Sequence, residues 1–256
     1  MTVPRATNDG VELYYETVGS GQPVVFVSDL GCGAWLWSWQ APALSGPHET
    51  ITWDLRGVGR SEEADTYSIG AMADDLDAIL ADHGVRKAAV VGAGMGGMVA
   101  LRAALDTSRV GRLALLGTAA DGSAFDTRAF LGPPGEMESL TSAAFRDARP
   151  EAVERIADWR EAEDATKAVC RAQSQAVTAF DVSGRLHEIT VPALVAHGTA
   201  DAVVPFEAGR ELAAGLPRGR FEAFEAGSHF VFIEQARLVS DALAGFLGAE
   251  NGPPDS

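Results

Sequence analysis

Residues Ala88 to Leu101, AAVVGAGMGGMVAL, decide how the rest of the chain is read. Ala88-Ala89-Val90-Val91 reads as a short buried strand. Gly92-Ala93-Gly94-Met95-Gly96-Gly97 is a glycine-dense turn, and Met98 to Leu105 reads as a helix packed on a sheet. Strand, sharp turn and helix form the setting of a nucleophile elbow, whose motif is G-x-S-x-G. Here glycine stands at the serine place, at Gly94. The same letters satisfy the dinucleotide fingerprint G-x-G-x-x-G through Gly92, Gly94 and Gly97. A third reading is packing alone, with glycines that let helix and strand approach closely. The stretch by itself does not choose among the three.

Working outward, the pattern before it is strand, strand, helix, strand, helix. Val11 to Thr17 alternates as a strand, and Pro23-Val24-Val25-Phe26-Val27 is apolar throughout, as in the middle of a parallel sheet. Ser28-Asp29-Leu30-Gly31-Cys32-Gly33 follows as a loop. Ala34 to Leu44 is expected to be a helix carrying Trp35, Trp37 and Trp39. Ile51-Thr52-Trp53 is a short strand running into Asp54-Leu55-Arg56-Gly57-Val58-Gly59-Arg60-Ser61, a polar loop. Ile69, Met72, Leu76, Ile79 and Leu80 share one face of a helix over Ile69 to His83, which Gly84 can end.

After it come a strand at Leu113 to Leu116 and a change of texture. From 119 to 181 no good strand appears; short helical stretches rich in Glu, Arg and Ala surround Gly132-Pro133-Pro134-Gly135. Phe125, Phe130, Phe145, Trp159 and Phe180 make this a packed insertion rather than a linker. The sheet resumes at Ala193 to Ala196 and leads into His197-Gly198-Thr199-Ala200-Asp201. A helix over Phe206 to Leu216, a strand at Phe221 to Phe224, the loop Gly227-Ser228-His229 and a helix over Ile233 to Leu247 complete it. The tail, 248–256, is expected to be disordered. Strands alternating with helices imply a mainly parallel α/β sheet.

Bulk properties narrow the function. The 256 residues include 36 acidic and 20 basic side chains, a net charge of −16. That balance opposes nucleic acid and anionic membranes as partners. A salt-rich cytoplasm would favour such a surface, and so would mere base composition, since only Lys87 and Lys167 are lysine. No apolar run reaches the roughly 18 residues of a membrane span, and the N-terminus has no signal-peptide pattern. Cys32 and Cys170 cannot build a disulfide framework, so a reduced cytoplasmic protein is the default. His48, His83 and His187 are scattered without ligand spacing, so neither a metal nor another cofactor is expected. The partner expected is a small molecule; the number of subunits stays open.

Three further segments bear on the glycine motif. Asp54-Leu55-Arg56-Gly57-x-Gly59-x-Ser61 resembles the loop after the fourth strand of α/β-hydrolases. His197-Gly198-Thr199-Ala200-Asp201 resembles their acid loop, and Gly227-Ser228-His229 their histidine loop. The order elbow, acid, histidine is also theirs. The resemblance spans about Val11 to Leu247 and points toward small esterases and enol-lactonases. It implies an α/β-hydrolase fold: a mainly parallel sheet flanked by helices, with a core of 1–118 and 182–247 and a helical cap at 119–181. It disfavours dinucleotide binding, because a fingerprint would follow the first strand and an acidic residue would follow it by about 20 residues.

The resemblance also implies site roles. His229 and Asp201 would be the acid–base pair, Gly94 the nucleophile position, and the N–H groups of Leu30 and Met95 the oxyanion hole. Two departures stand out: Gly94 for serine, and Ser28-Asp29 where His-Gly is common. Glycine tolerates the strained turn but has no atom to attack with. A serine enzyme carrying a Ser→Gly change would explain the first departure and not the second, so natural divergence is favoured. The expected chemistry is non-covalent acid–base work by the His–Asp pair, as in the cofactor-free dioxygenases of the superfamily, on a hydrolase- or lyase-type reaction. The competing reading is a pseudo-hydrolase that only binds a ligand. Asp29 admits two placements. In a pocket it would oppose an oxyanion or act as a second acid–base group; as an outward turn residue, the placement expected here, it would do neither. Ser28, Cys32 and Trp159 are further pocket candidates, Cys32 with the inertness usual for a buried or loop thiol. His197 is expected to be structural.

Overall fold

A computed structural model describes residues 4–249. Its centre is an eight-stranded sheet in the order β1-β2-β4-β3-β5-β6-β7-β8. The strands are β1 (Arg5–Asn8), β2 (Val11–Gly19), β3 (Gln22–Val27), β4 (His48–Trp53), β5 (Ala88–Ala93), β6 (Val110–Leu116), β7 (Ala193–Gly198) and β8 (Gly219–Phe224). β1 and β2 enter antiparallel at one edge; from β4 to β8 every pairing is parallel. The reason lies in burial. Val24 to Val27, Val90, Val91 and Leu113 to Leu116 are buried, which demands helices on both faces. This is the α/β-hydrolase fold.

The helices follow their sequence signals. α1 is Gln40–Leu44 and α2 is Ile69–Asp82, whose N-cap Ser68 accepts the Ala71 N–H and whose apolar face, Met72, Leu76, Ile79 and Leu80, is buried. α3 (Met95–Asp106) begins directly at Gly94, so the whole run Met95 to Leu101 is sheathed by sheet and neighbours. α4 (Ala143–Ala148), α5 (Pro150–Glu163) and α6 (Lys167–Thr178) lie between β6 and β7. α7 (Phe206–Gly215), α8 (Val231–Glu234) and α9 (Ala236–Gly248) follow. Among the described residues no helix is long and apolar enough to cross a membrane.

Three expectations need correction. The stretch from Ala34 to Leu44 is not one helix: a 3-10 turn, Ala34–Trp37, precedes α1. Pro42 explains the break, because in a continuous helix its ring would clash with the Ser38 carbonyl, whereas the first turn of a new helix accepts it. The closing helix likewise divides at Gln235 into α8 and α9. β1 escaped notice because Arg5-Ala6-Thr7-Asn8 is a short polar edge with only Ala6 turned inward. Gly248, expected in the tail, is instead the last residue of α9, and 250–256 lie outside the described residues.

Between β6 and β7 the chain leaves the sheet. An isolated bridge pairs Asp121 with Asp181 at the two ends of the excursion. Gly33 N–H and Trp35 Nε1–H both donate to Asp164 at the end of α5, at 3.2 and 2.7 Å, and Arg160 pairs with the same carboxylate at 3.0 Å. These bonds fasten the insertion to the loop after β3.

Candidate active site

Four loops at the carboxyl ends of β3, β5, β7 and β8 converge, the position where open α/β sheets place their sites. β5 delivers Gly94 at φ 48, ψ −115, a left-handed position that suits glycine. The turn is held on both sides: Gly94 N–H donates to Leu116 O at 2.9 Å, and Thr118 Oγ1 donates to Gly94 O at 2.6 Å. β7 delivers Asp201. Its Oδ1 accepts the N–H groups of Val203 and Val204 at 2.8 and 2.9 Å. Its Oδ2 meets His229 Nδ1 at 2.9 Å and His197 Nε2 at 3.2 Å. The loop after β8 supplies His229, which is 1% exposed and packed edge-on by Phe125 and Phe130 and face-on by Phe230.

β3 delivers the decisive residue. Asp29 is buried and turned inward, so its expected outward placement is wrong. Asp29 Oδ1 accepts the N–H of Leu30 at 2.7 Å and of Met95 at 2.8 Å. Asp29 Oδ2 meets His229 Nε2 at 2.8 Å. The physical reason is the missing side chain next door. A Cβ built on Gly94 would lie 2.1 to 2.3 Å from the three carboxylate atoms of Asp29. The carboxylate occupies the volume that any side chain at position 94 would enter. The two departures noted in the sequence are therefore one event in space.

The other candidates separate. Ser28 Oγ donates to Gly33 O at 3.1 Å and is spent inside its own loop. Cys32 is buried, and burial, with Asp164 and Asp29 nearby, pushes its thiol well above the ordinary range, so it is a poor nucleophile. Trp159 stacks on Trp35 and lines a lateral cleft of about 330 Å³ with Glu16, Trp37 and Arg60; the rings around His229 are other ones. His197 braces Asp201 while donating to Val204 O at 3.0 Å. Sequence reasoning missed Gln173 on α6. Its Oε1 accepts the Gly31 N–H at 2.7 Å, while its Nε2 is buried without a hydrogen-bond partner among the described residues. A lone glutamine on a helix carries no signal that could have exposed it.

Comparison with known proteins fits this architecture. Residues 24–242 match the model of the alpha/beta hydrolase family. The chain belongs to that family. RutD of Variovorax paradoxus (strain S110), named as a candidate carbamate hydrolase, is 32% identical over 94% of this chain and 98% of its own. Among solved structures, the enol-lactonase from Burkholderia xenovorans LB400 superposes with a TM-score of 0.87 at 27% identity, over 96% of this chain and all of that one. Est816, described as an N-acyl homoserine lactone degrading enzyme, gives 0.85 at 28%, over 95% and 100%.

Within this family member, electrostatics set the resting charge. Burial alone would disfavour a charged imidazole. Asp201 on Nδ1 and Asp29 on Nε2 outweigh it and raise His229 to about 10. Burial would also raise Asp201, but His229 and His197 hold its carboxyl well below the usual range. With His229 protonated at neutral pH, both ring nitrogens donate, Nδ1 to Asp201 and Nε2 to Asp29.

Proposed function

We propose that this chain is a hydrolase of small organic molecules that works without a serine nucleophile. His229, oriented by Asp201, carries the proton transfers as an acid–base pair. Asp29 is the reactive carboxylate, held where an elbow side chain would stand. One observation carries the reading: the Asp29 carboxylate lies in the Cβ volume of Gly94 while bonded to Leu30 N–H, Met95 N–H and His229. A serine enzyme changed only at the elbow would have no reason to hold a carboxylate there.

The relatives named for carbamates and lactones support a small-molecule hydrolytic role, and the insertion at 119–181 would act as a cap over the site. They do not carry their acyl chemistry across intact. Asp29 Oδ1 already takes both backbone donors that would otherwise stabilise a substrate oxyanion.

The test is turnover of a panel of lactones, carbamates, esters, alkyl halides and epoxides by the parent and by His229→Gln. Activity in the parent that falls about 10²–10⁴-fold in the variant supports the pair as the acid–base machinery. Fluorophosphonate probes should leave the parent unlabelled, because Gly94 has no hydroxyl. Turnover indifferent to His229→Gln, or stoichiometric labelling of a serine, contradicts the reading. A parent inert to the whole panel leaves a pseudo-hydrolase that only binds.

A further inference from the structure

We infer that Asp29 is a nucleophile toward saturated carbon, and that the substrate is a small apolar electrophile bearing its leaving group on an sp3 carbon. This rests on the hydrolase reading above and extends it to substrate class.

The two oxygens of the Asp29 carboxylate have different partners. Oδ1 is fixed by two backbone donors, Leu30 N–H and Met95 N–H. Oδ2 faces His229. An acyl substrate needs donors for its own developing oxyanion, and those donors are taken. Displacement at saturated carbon builds no oxyanion on the substrate; its negative charge departs with the leaving group. The occupied hole therefore selects against acyl transfer and for alkyl transfer. Phe125, Phe130 and Phe230 around His229 suit an apolar body. The Gln173 amide, anchored two residues from Asp29 through the Gly31 N–H, keeps an unused buried N–H₂ that a leaving halide or alkoxide can accept.

The steps balance. Oδ2 of the Asp29 carboxylate attacks carbon, the bond to the leaving group breaks with its electron pair, and an alkyl ester of Asp29 forms. A halide leaves as the anion; an epoxide oxygen remains attached and takes a proton from the His229 imidazolium. Esterification removes the Asp29 charge, and with it one of the interactions that keep His229 protonated. In the halide case the imidazolium releases its proton to solvent at this stage. The imidazole then takes a proton from water, whose oxygen attacks Cγ. The tetrahedral oxyanion at Oδ1 is already held by Leu30 N–H and Met95 N–H. Collapse expels the alcohol, which retains the original Oδ2 and takes the proton from His229; the proton left on the new Asp29 oxygen then passes to the imidazole, restoring the resting imidazolium and carboxylate. The sum for a halide is R–X plus water giving R–OH and HX.

The experiment is a single turnover, with enzyme in excess, in H₂¹⁸O, using 1-bromohexane and 1,2-epoxyhexane as probes. Tryptic mass spectrometry reads the Asp29 peptide, and the product alcohol is analysed for its oxygen. The expected result is ¹⁸O in Asp29 and an enzyme-derived oxygen in the product. In His229→Gln an alkyl adduct should accumulate on Asp29, and its mass distinguishes ring-opened epoxide from hexyl. Asp29→Asn should form no adduct. Product carrying ¹⁸O with none in Asp29 would overturn the inference, because water would then be the attacking group. So would a parent that hydrolyses lactones or esters in a His229-dependent way but neither turns over nor is alkylated by these probes; that outcome spares the hydrolase reading. Because the parent is used for the isotope measurement, failure of a variant to fold leaves the result intact.

Discussion

At the scale of single residues, Gly94 and Asp29 form one unit. The turn geometry at Gly94 would admit a serine backbone at a cost, but the space above it is filled. Gly94→Ser alone should lose about 1–3 kcal/mol of stability through overpacking. Adding Asp29→Gly should recover the loss and empty the oxyanion hole. The double variant should then hydrolyse p-nitrophenyl acetate well above the parent, whereas the single variant should gain little. Thermal melts and the ester assay check both halves; a fully stable, fully active Gly94→Ser would contradict the interlock. The sequence announced Gly94, Asp201 and His229 through their loop patterns. It could not announce where Asp29 points, because that depends on a vacancy created by a residue distant in the chain.

At the scale of elements, the join between the insertion and the loop after β3 is a polar clamp. Asp164 serves Gly33 N–H, Trp35 Nε1–H and Arg160, and Arg160 donates onward to Pro134 O and Glu136 O. Asp164→Ala would leave the nearly buried Arg160 guanidinium without its countercharge and three donors, Arg160 Nε–H, Gly33 N–H and Trp35 Nε1–H, without their acceptor. The expected loss is about 3–5 kcal/mol in urea unfolding. Amides around Gly33 to Trp35 should exchange faster in hydrogen-exchange measurements, and unchanged exchange there would mean the clamp does not hold the loop. Long periodic elements were legible: α2 lies where its apolar spacing put it, and the parallel strands are apolar runs. The broken helices were less so: Pro42 interrupts one, and the carboxylates of Asp164 and Asp54 that accept the Gly33 and Ala34 N–H groups fix where its first turn starts, a tertiary contact that local sequence does not show.

At the scale of the whole molecule, charge and pH govern stability. A net charge of −16 implies self-repulsion that salt screens. The melting temperature should rise as sodium chloride is increased from low ionic strength, and a flat or falling response would show the charge to be locally compensated. His229 adds a pH term whose sign is definite. Its pKa is raised from 6.5 to about 10 on folding, so its contribution is full below about 6.5 and is lost as pH rises toward about 10. Unfolding free energy should therefore fall across that window, and fall less in His229→Gln. The α/β class was readable from composition and alternation because it is a property of the whole pattern. The centre's resting charge was not, because it depends on which groups touch.

The central claim, that Asp29 lies inside the elbow against His229, is tested most directly by ¹⁵N NMR titration of the His229 ring in the parent and in Asp29→Asn. The account predicts both ring nitrogens protonated at pH 7.5 in the parent, with titration only near the top of the accessible range. In Asp29→Asn the titration should move down by at least about one pH unit, the loss of one charged neighbour. A His229 ring already neutral at pH 7.5 in the parent, and unmoved by Asp29→Asn, would contradict it.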